Sequence, residues 1–115
     1  NYLGTHYDVV SKDDVPTGDD VKLEFCFVYS GDYGDGKGNG GEVTLLINDS
    51  EVATGTIANT VPARFSLETQ DVGMDLLSPV THNYESPFEF TGTIKKVTID
   101  IEEPPCSGLD CIIPD

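Results

Sequence analysis

The chain has no tryptophan, one methionine, two histidines and three cysteines, and only six lysines and arginines stand against 21 aspartates and glutamates. With a formal charge of −15, the chain repels polyanions, so nucleic acid and anionic membrane surfaces are poor partners and cations good ones. No apolar run approaches the roughly 20 residues that a membrane-spanning helix needs, and no signal-peptide pattern is present. Nor does any segment carry helix-length amphipathic spacing, and no internal repeat occurs. The first residue is Asn1 rather than Met, which fits either a removed leader or a piece of a longer chain.

What remains is a sequence of alternating strands and glycine-rich turns. At 115 residues it is long enough for one domain with a modest core. Residues 1–101 read as that domain and 102–115 as a Pro- and Cys-containing tail. Tyr2 to Ser11 is rich in β-branched and aromatic residues and predicts a strand. From Val21 to Tyr29, Val21, Leu23, Phe25, Phe27 and Tyr29 alternate with Lys22, Glu24, Cys26 and Val28. This period of two predicts a strand whose second half, apolar on both sides, is covered on both faces. Glu42–Ile47 and Glu51–Ile57 predict a hairpin turning at Asn48-Asp49-Ser50. Arg64–Glu68 predicts a short strand with Phe65 and Leu67 inward, and Phe90–Ile101 a last strand with a bulge near Gly92.

Several loops invite a chemical reading. Ser30–Gly41 is too glycine-rich for a strand; it lacks the Gly-Lys-Ser/Thr of a phosphate loop and the ligand spacing of an EF-hand, leaving a hairpin loop or a Ca²⁺ contact at Asp32 or Asp35. Asp71 and Asp75 flank Gly73 in the irregular stretch Val61–Val80, and are either a solvated turn or ligands of Ca²⁺. Asn48-Asp49-Ser50 spells a glycosylation sequon at Asn48. Tyr33 and Tyr84 are the loop aromatics available to a sugar ring.

Cys106 and Cys111 enclose four residues of the tail and predict a small disulfide loop, with zinc disfavoured because no second ligand pair accompanies them. This places the protein in an extracellular or periplasmic setting. Cys26, between Phe25 and Phe27, is expected as a small buried hydrophobe, or as one half of a bond to a segment outside this chain. His6 and His82 have no nucleophile elbow or other activating neighbour and are expected at the surface or at a sheet edge. No catalytic residues are identified, and the chain is not expected to be an enzyme.

Four strings carry a family resemblance: Gly-Lys-Gly-Asn-Gly-Gly-Glu-Val-Thr-Leu-Leu-Ile-Asn-Asp, Thr-Val-Pro-Ala-Arg-Phe-Ser-Leu-Glu-Thr-Gln-Asp-Val-Gly, Ser-Pro-Val, and Pro-Phe-Glu-Phe-Thr-Gly-Thr-Ile-Lys-Lys-Val-Thr-Ile-Asp. Together they resemble the C-terminal region of long, bacterial-type arylsulfatases, over Asn1 to Ile101. The resemblance implies an all-β fold, an antiparallel β-sandwich of the jelly-roll, laminin-G or concanavalin-like kind, here partial and lacking its N-terminal strands. It implies no sulfatase chemistry in this chain, because the Cys/Ser-x-Pro-x-Arg motif is missing: Cys26 is followed by Phe-Val-Tyr-Ser and Cys106 by Ser-Gly-Leu-Asp. The expected role is a non-catalytic accessory module of a secreted protein, acting in assembly or substrate presentation. Its missing strands would come from another chain or an upstream segment, in a homo-oligomer or filament. The alternatives are an independent carbohydrate-binding module, with or without dependence on Ca²⁺, and the terminal part of an active sulfatase.

Overall fold

The computed structural model describes residues 2–18, 20–32, 35–62 and 70–101. The fold is all-β and antiparallel. Strands β1 (Leu23–Tyr29), β2 (Asn39–Ile47) and β3 (Ser50–Asn59) form one sheet in the order β1-β2-β3. Strands β4 (Met74–Asp75) and β5 (Phe88–Glu89) form a second, two-stranded sheet.

The β2–β3 hairpin arises where the sequence places it, but its loop is shorter than expected. Ile47 pairs with Ser50, so only Asn48 and Asp49 turn the chain, both with positive φ (48° and 67°). Two left-handed residues in a two-residue loop match the right-handed twist of the strands, as in a type I′ turn, and Asn and Asp accept that conformation more readily than other side chains. Asn48 also extends the ladder toward β1: its N–H donates to Lys22 O at 2.9 Å, and its Oδ1 accepts from Lys22 N at 2.9 Å.

Register decides the two faces of the large sheet, because directly opposed residues share a side. Phe25 opposes Leu45, Phe27 opposes Val43, and Val43 opposes Gly55; this face is apolar. The other carries Glu24, Cys26, Thr44, Glu42, Thr54 and Thr56, with Thr56 Oγ1 donating to Glu42 Oε1 at 2.9 Å. Val43 is the centre of the apolar face and is 1% exposed. A bulge between Leu45 and Leu46 inserts Val52 as an extra residue on β3, and Val52 is also buried.

Residues 6–12 lie against β3 without forming a strand. A Cβ on Gly55 would sit 2.5 Å from Val9 Cγ2, so only glycine lets Val9 close over this face. Lys12 N donates to Val52 O at 3.2 Å, and Asn59 Nδ2 donates to the Tyr7 hydroxyl at 3.1 Å.

Four expectations are corrected here. The strand expected over residues 2–11 begins as a tight turn instead, closed by backbone hydrogen bonds of 2.7 and 2.9 Å between Tyr2 and Thr5, with Leu3 and Gly4 at positive φ. The second half of β1 is not covered on both faces: Phe25 is 64% and Val28 69% exposed. Cys26 is exposed rather than buried, and its Sγ donates to Glu24 Oε2 at 3.6 Å. Residues 90–101 do not form a strand; β5 ends at Glu89, and residues 91–101 are exposed and make no backbone hydrogen bond among the described residues. The physical reason is common to the second and fourth: an alternating sequence has strand propensity, but a ladder needs a neighbour, and a face needs a layer above it. The short strand expected over residues 64–68 and the tail from residue 102 lie outside the described residues.

Candidate functional site

The stretch that begins at Asp71 builds an open cleft of about 390 Å³ together with β4, β5 and the loop between them. Gly73 turns the chain at φ 80°, and Gly73 O then accepts from Phe90 N at 2.8 Å, which continues the β4–β5 pairing of Met74 with Glu89 and Asp75 with Phe88. Met74, Phe88, Phe90 and Ile94 come to the cleft as an apolar wall.

Asp71, Asp75 and Tyr84 all line this cleft, so the fold brings together three residues singled out in the sequence. Their polar atoms are engaged with the chain. Asp71 Oδ2 accepts from Leu76 N at 3.1 Å. The Tyr84 hydroxyl donates to Asp75 Oδ2 and accepts from Val80 N at 2.8 Å. Hydrogen bonding to Asp75 holds the Tyr84 phenol above its ordinary value, since losing the proton would set two negative charges side by side. Tyr84 is half-buried, and its ring meets Phe88 edge-on with centroids 5.4 Å apart. It is therefore a clamp across the β4–β5 loop more than the open platform expected of it; Phe88 and Phe90 present more ring surface. Among the described residues no group of three or more His, Cys, Asp or Glu side chains stands together in a way that could hold a metal ion. A Ca²⁺ at Asp71 and Asp75 would thus take most of its oxygens from water or backbone.

A second, smaller cleft of about 260 Å³ opens between the β1–β2 loop and the chain leaving β3 at residues 60–62. Here Asp35 organises the loop. Its Oδ1 accepts from the Tyr29 hydroxyl at 2.7 Å and from Lys37 N at 2.9 Å, and its Oδ2 accepts from Asn39 Nδ2 at 3.2 Å. The Lys37 N–H, and then the Tyr29 hydroxyl, hold the carboxyl below its ordinary value. Asp35 is a structural staple, which gives its carboxylate a role other than the Ca²⁺ contact considered for Asp32 or Asp35.

Asn48 stands exposed at the tip of the β2–β3 hairpin. Tyr33, Cys106 and Cys111 lie outside the described residues. His6 and His82, which no sequence pattern associates, are in contact: their ring centroids are 4.2 Å apart with the planes tilted by 40°. His6 is half-buried and His82 exposed. Nothing local marks the pair, since each lies in an irregular segment and only the path of the chain joins them.

Comparison with family models, curated proteins and solved structures returned no match. No helix among the described residues is long and apolar enough to cross a membrane.

Proposed function

We propose that this chain is a non-catalytic accessory β-module of an arylsulfatase-like secreted protein, acting in assembly or substrate presentation. One observation carries the reading. Leu23 and Phe25 are 61% and 64% exposed on the same sheet face that buries Val43. A three-stranded sheet with one apolar face needs a covering layer, and exposed large apolar patches mark interaction surfaces. Strands from another chain, or from the remainder of a parent protein, would supply that layer and complete a sandwich of the laminin-G or concanavalin-like kind. The family resemblance over residues 1–101 supports the same role, as does the lack of a Cys/Ser-x-Pro-x-Arg motif in this sequence.

An apolar dye that brightens on exposed hydrophobic surface tests the reading. The isolated chain should bind it, and Leu23→Ser with Phe25→Ser should remove most of the signal while the circular dichroism of the sheet persists. A cooperatively melting monomer that binds no dye would overturn the reading, because its face would need no partner.

A second reading, a carbohydrate-binding module, is favoured by the β4–β5 cleft, where Phe88 and Phe90 offer rings beside the Asp71 and Asp75 carboxylates. Aromatic faces take sugar rings, and carboxylates accept from sugar hydroxyls. Glycan-array binding lost in Phe88→Ala and Phe90→Ala, but kept in Leu23→Ser, would move the assignment to this reading.

A further inference from the structure

The two edges of the large sheet differ. Part of the β3 edge is covered by the chain that approaches it, where Lys12 N donates to Val52 O at 3.2 Å. Strand β1 has a neighbour on one side only among the described residues. Lys22 O accepts from Asn48 N, and Ser30 N donates to Gly40 O, both toward β2. The β1–β2 register is unbroken between these points. The backbone groups of the even-numbered residues therefore face β2, and those of Leu23, Phe25, Phe27 and Tyr29 point out from the edge. Such a row is a template for a further strand. The seven residues of β1 hold no proline, lysine or bulge to blunt it, and Glu24 is their one charge. We propose that this edge pairs antiparallel with the β1 edge of a second copy of the chain, about a two-fold axis at Cys26.

The register follows from the strand itself. Cys26 is its middle residue, so an axis there uses the full length, and an axis displaced to a neighbouring residue shortens the overlap. The outward-pointing residues then meet one another, Phe25 with the partner's Phe27 and Leu23 with the partner's Tyr29, and exchange N–H and C=O groups. These are apolar pairs on the face that holds Val43. Glu24 falls opposite the partner's Val28, so no like charges are opposed although each chain carries −15. Cys26, exposed on the polar face beside Glu24, meets the partner's Cys26 as a non-hydrogen-bonded pair. The Cα atoms of such a pair stand about 4.5 Å apart, within the about 4.4–6.8 Å that a disulfide spans. The inference rests on the assembly role proposed above and names the occupant of the edge, whereas that reading concerns the apolar face.

Sedimentation velocity of the full chain under reducing conditions should show a monomer–dimer equilibrium within about 10–500 μM, the weak range that suits a small interface. Val28 is 69% exposed and shares the polar face with Glu24, away from the dye-binding face. Val28→Glu sets a carboxylate against Glu24 at both ends of the pairing and should weaken the dimer at least about tenfold, while Val28→Lys should keep or tighten it. With Cys106→Ser and Cys111→Ser in place, oxidised glutathione should link two chains through Cys26. The two thiols give up two protons and two electrons, and the glutathione disulfide becomes two thiols. Val28→Glu should suppress this link. A monomer throughout that range, no link through Cys26, or a dimer insensitive to Val28→Glu would overturn the pairing. If that insensitive dimer dissolves in Leu23→Ser with Phe25→Ser, the second copy sits on the apolar face, and the proposed function stands while this inference falls. A chain that binds no dye yet links through Cys26 removes the covering layer and leaves the edge pairing.

Discussion

The Tyr29 hydroxyl donates to Asp35 Oδ1 at 2.7 Å and accepts from Asn39 N at 3.1 Å, so a single phenol at the end of β1 closes the glycine-rich loop onto the start of β2. The last residue of β1 and the first of β2 are thereby tied through a carboxylate that also receives Lys37 N.

Asp35→Asn should lower the Tm at neutral pH, and the difference from the unmodified chain should vanish in acid. A carboxyl held below its ordinary value of 3.8 favours the ionised fold, so its contribution is complete above that value and is lost as pH falls through the lowered one. Tyr29→Phe should have a smaller effect, because the Lys37 N–H is the larger cause of the shift. Thermal melts of the three proteins across about pH 2.5–7, a span set about the ordinary carboxylate range, check both; a Tm difference that grows in acid would contradict the role given to Asp35.

Val43→Ala should destabilise the chain by about 2 kcal/mol, from two methyl groups lost at a fully buried position and the cavity they leave. Phe25→Ala, at a position 64% exposed, should change the stability of the isolated chain by less than about 1 kcal/mol. Urea unfolding separates them. Equal losses at the two positions would mean that Phe25 is already covered in solution.

At the hairpin tip, Asn48→Gly should be nearly neutral in stability while Asn48→Ala costs about 1–2 kcal/mol, since alanine meets the left-handed penalty and also removes the acceptor of Lys22 N. Glycine at this position keeps the backbone conformation and loses only the side-chain bond. Comparable melting of both variants would show that the turn does not set the register. Expression in a glycosylating host reports separately on the sequon, as a mass increase abolished by Ser50→Ala.

For the β4–β5 cleft, Ca²⁺ should raise the Tm of the unmodified chain and not that of Asp71→Ala if the two carboxylates hold the ion. Tyr84→Phe frees the Asp75 carboxylate from its clamp, and should loosen the loop while leaving, or improving, any Ca²⁺ response. At alkaline pH the unmodified chain should lose stability as Tyr84 ionises: its phenol is held above 10.0 in the fold, so the contribution is present below the ordinary value and is lost as pH rises through the raised one. The ultraviolet difference spectrum of tyrosinate follows this directly.

The legible part of this protein is its local part. The strand Leu23–Tyr29 and the β2–β3 hairpin can be read from alternation, because strand spacing and an Asn-Asp turn act over a few residues. Asp71, Asp75 and Tyr84 stand out as loop residues, but that they share one cleft, and that Tyr84 is bound to Asp75, depends on β4 pairing with β5 across the intervening loop. Cys26 is misread from its neighbours because an apolar neighbourhood in sequence says nothing about which layer covers a strand.

The sequence by itself determined the all-β character, the acid surface, and the hairpins that join β1, β2 and β3, the second turning near Asn48, all consequences of composition and of period-two spacing. Only the tertiary structure decided that Ile94, Val97, Ile99 and Ile101 stay exposed, that Val9 closes over Gly55, and that His6 meets His82. Each of those depends on where distant segments come to lie, since pairing and burial are properties of two surfaces and a strand's own residues supply only one.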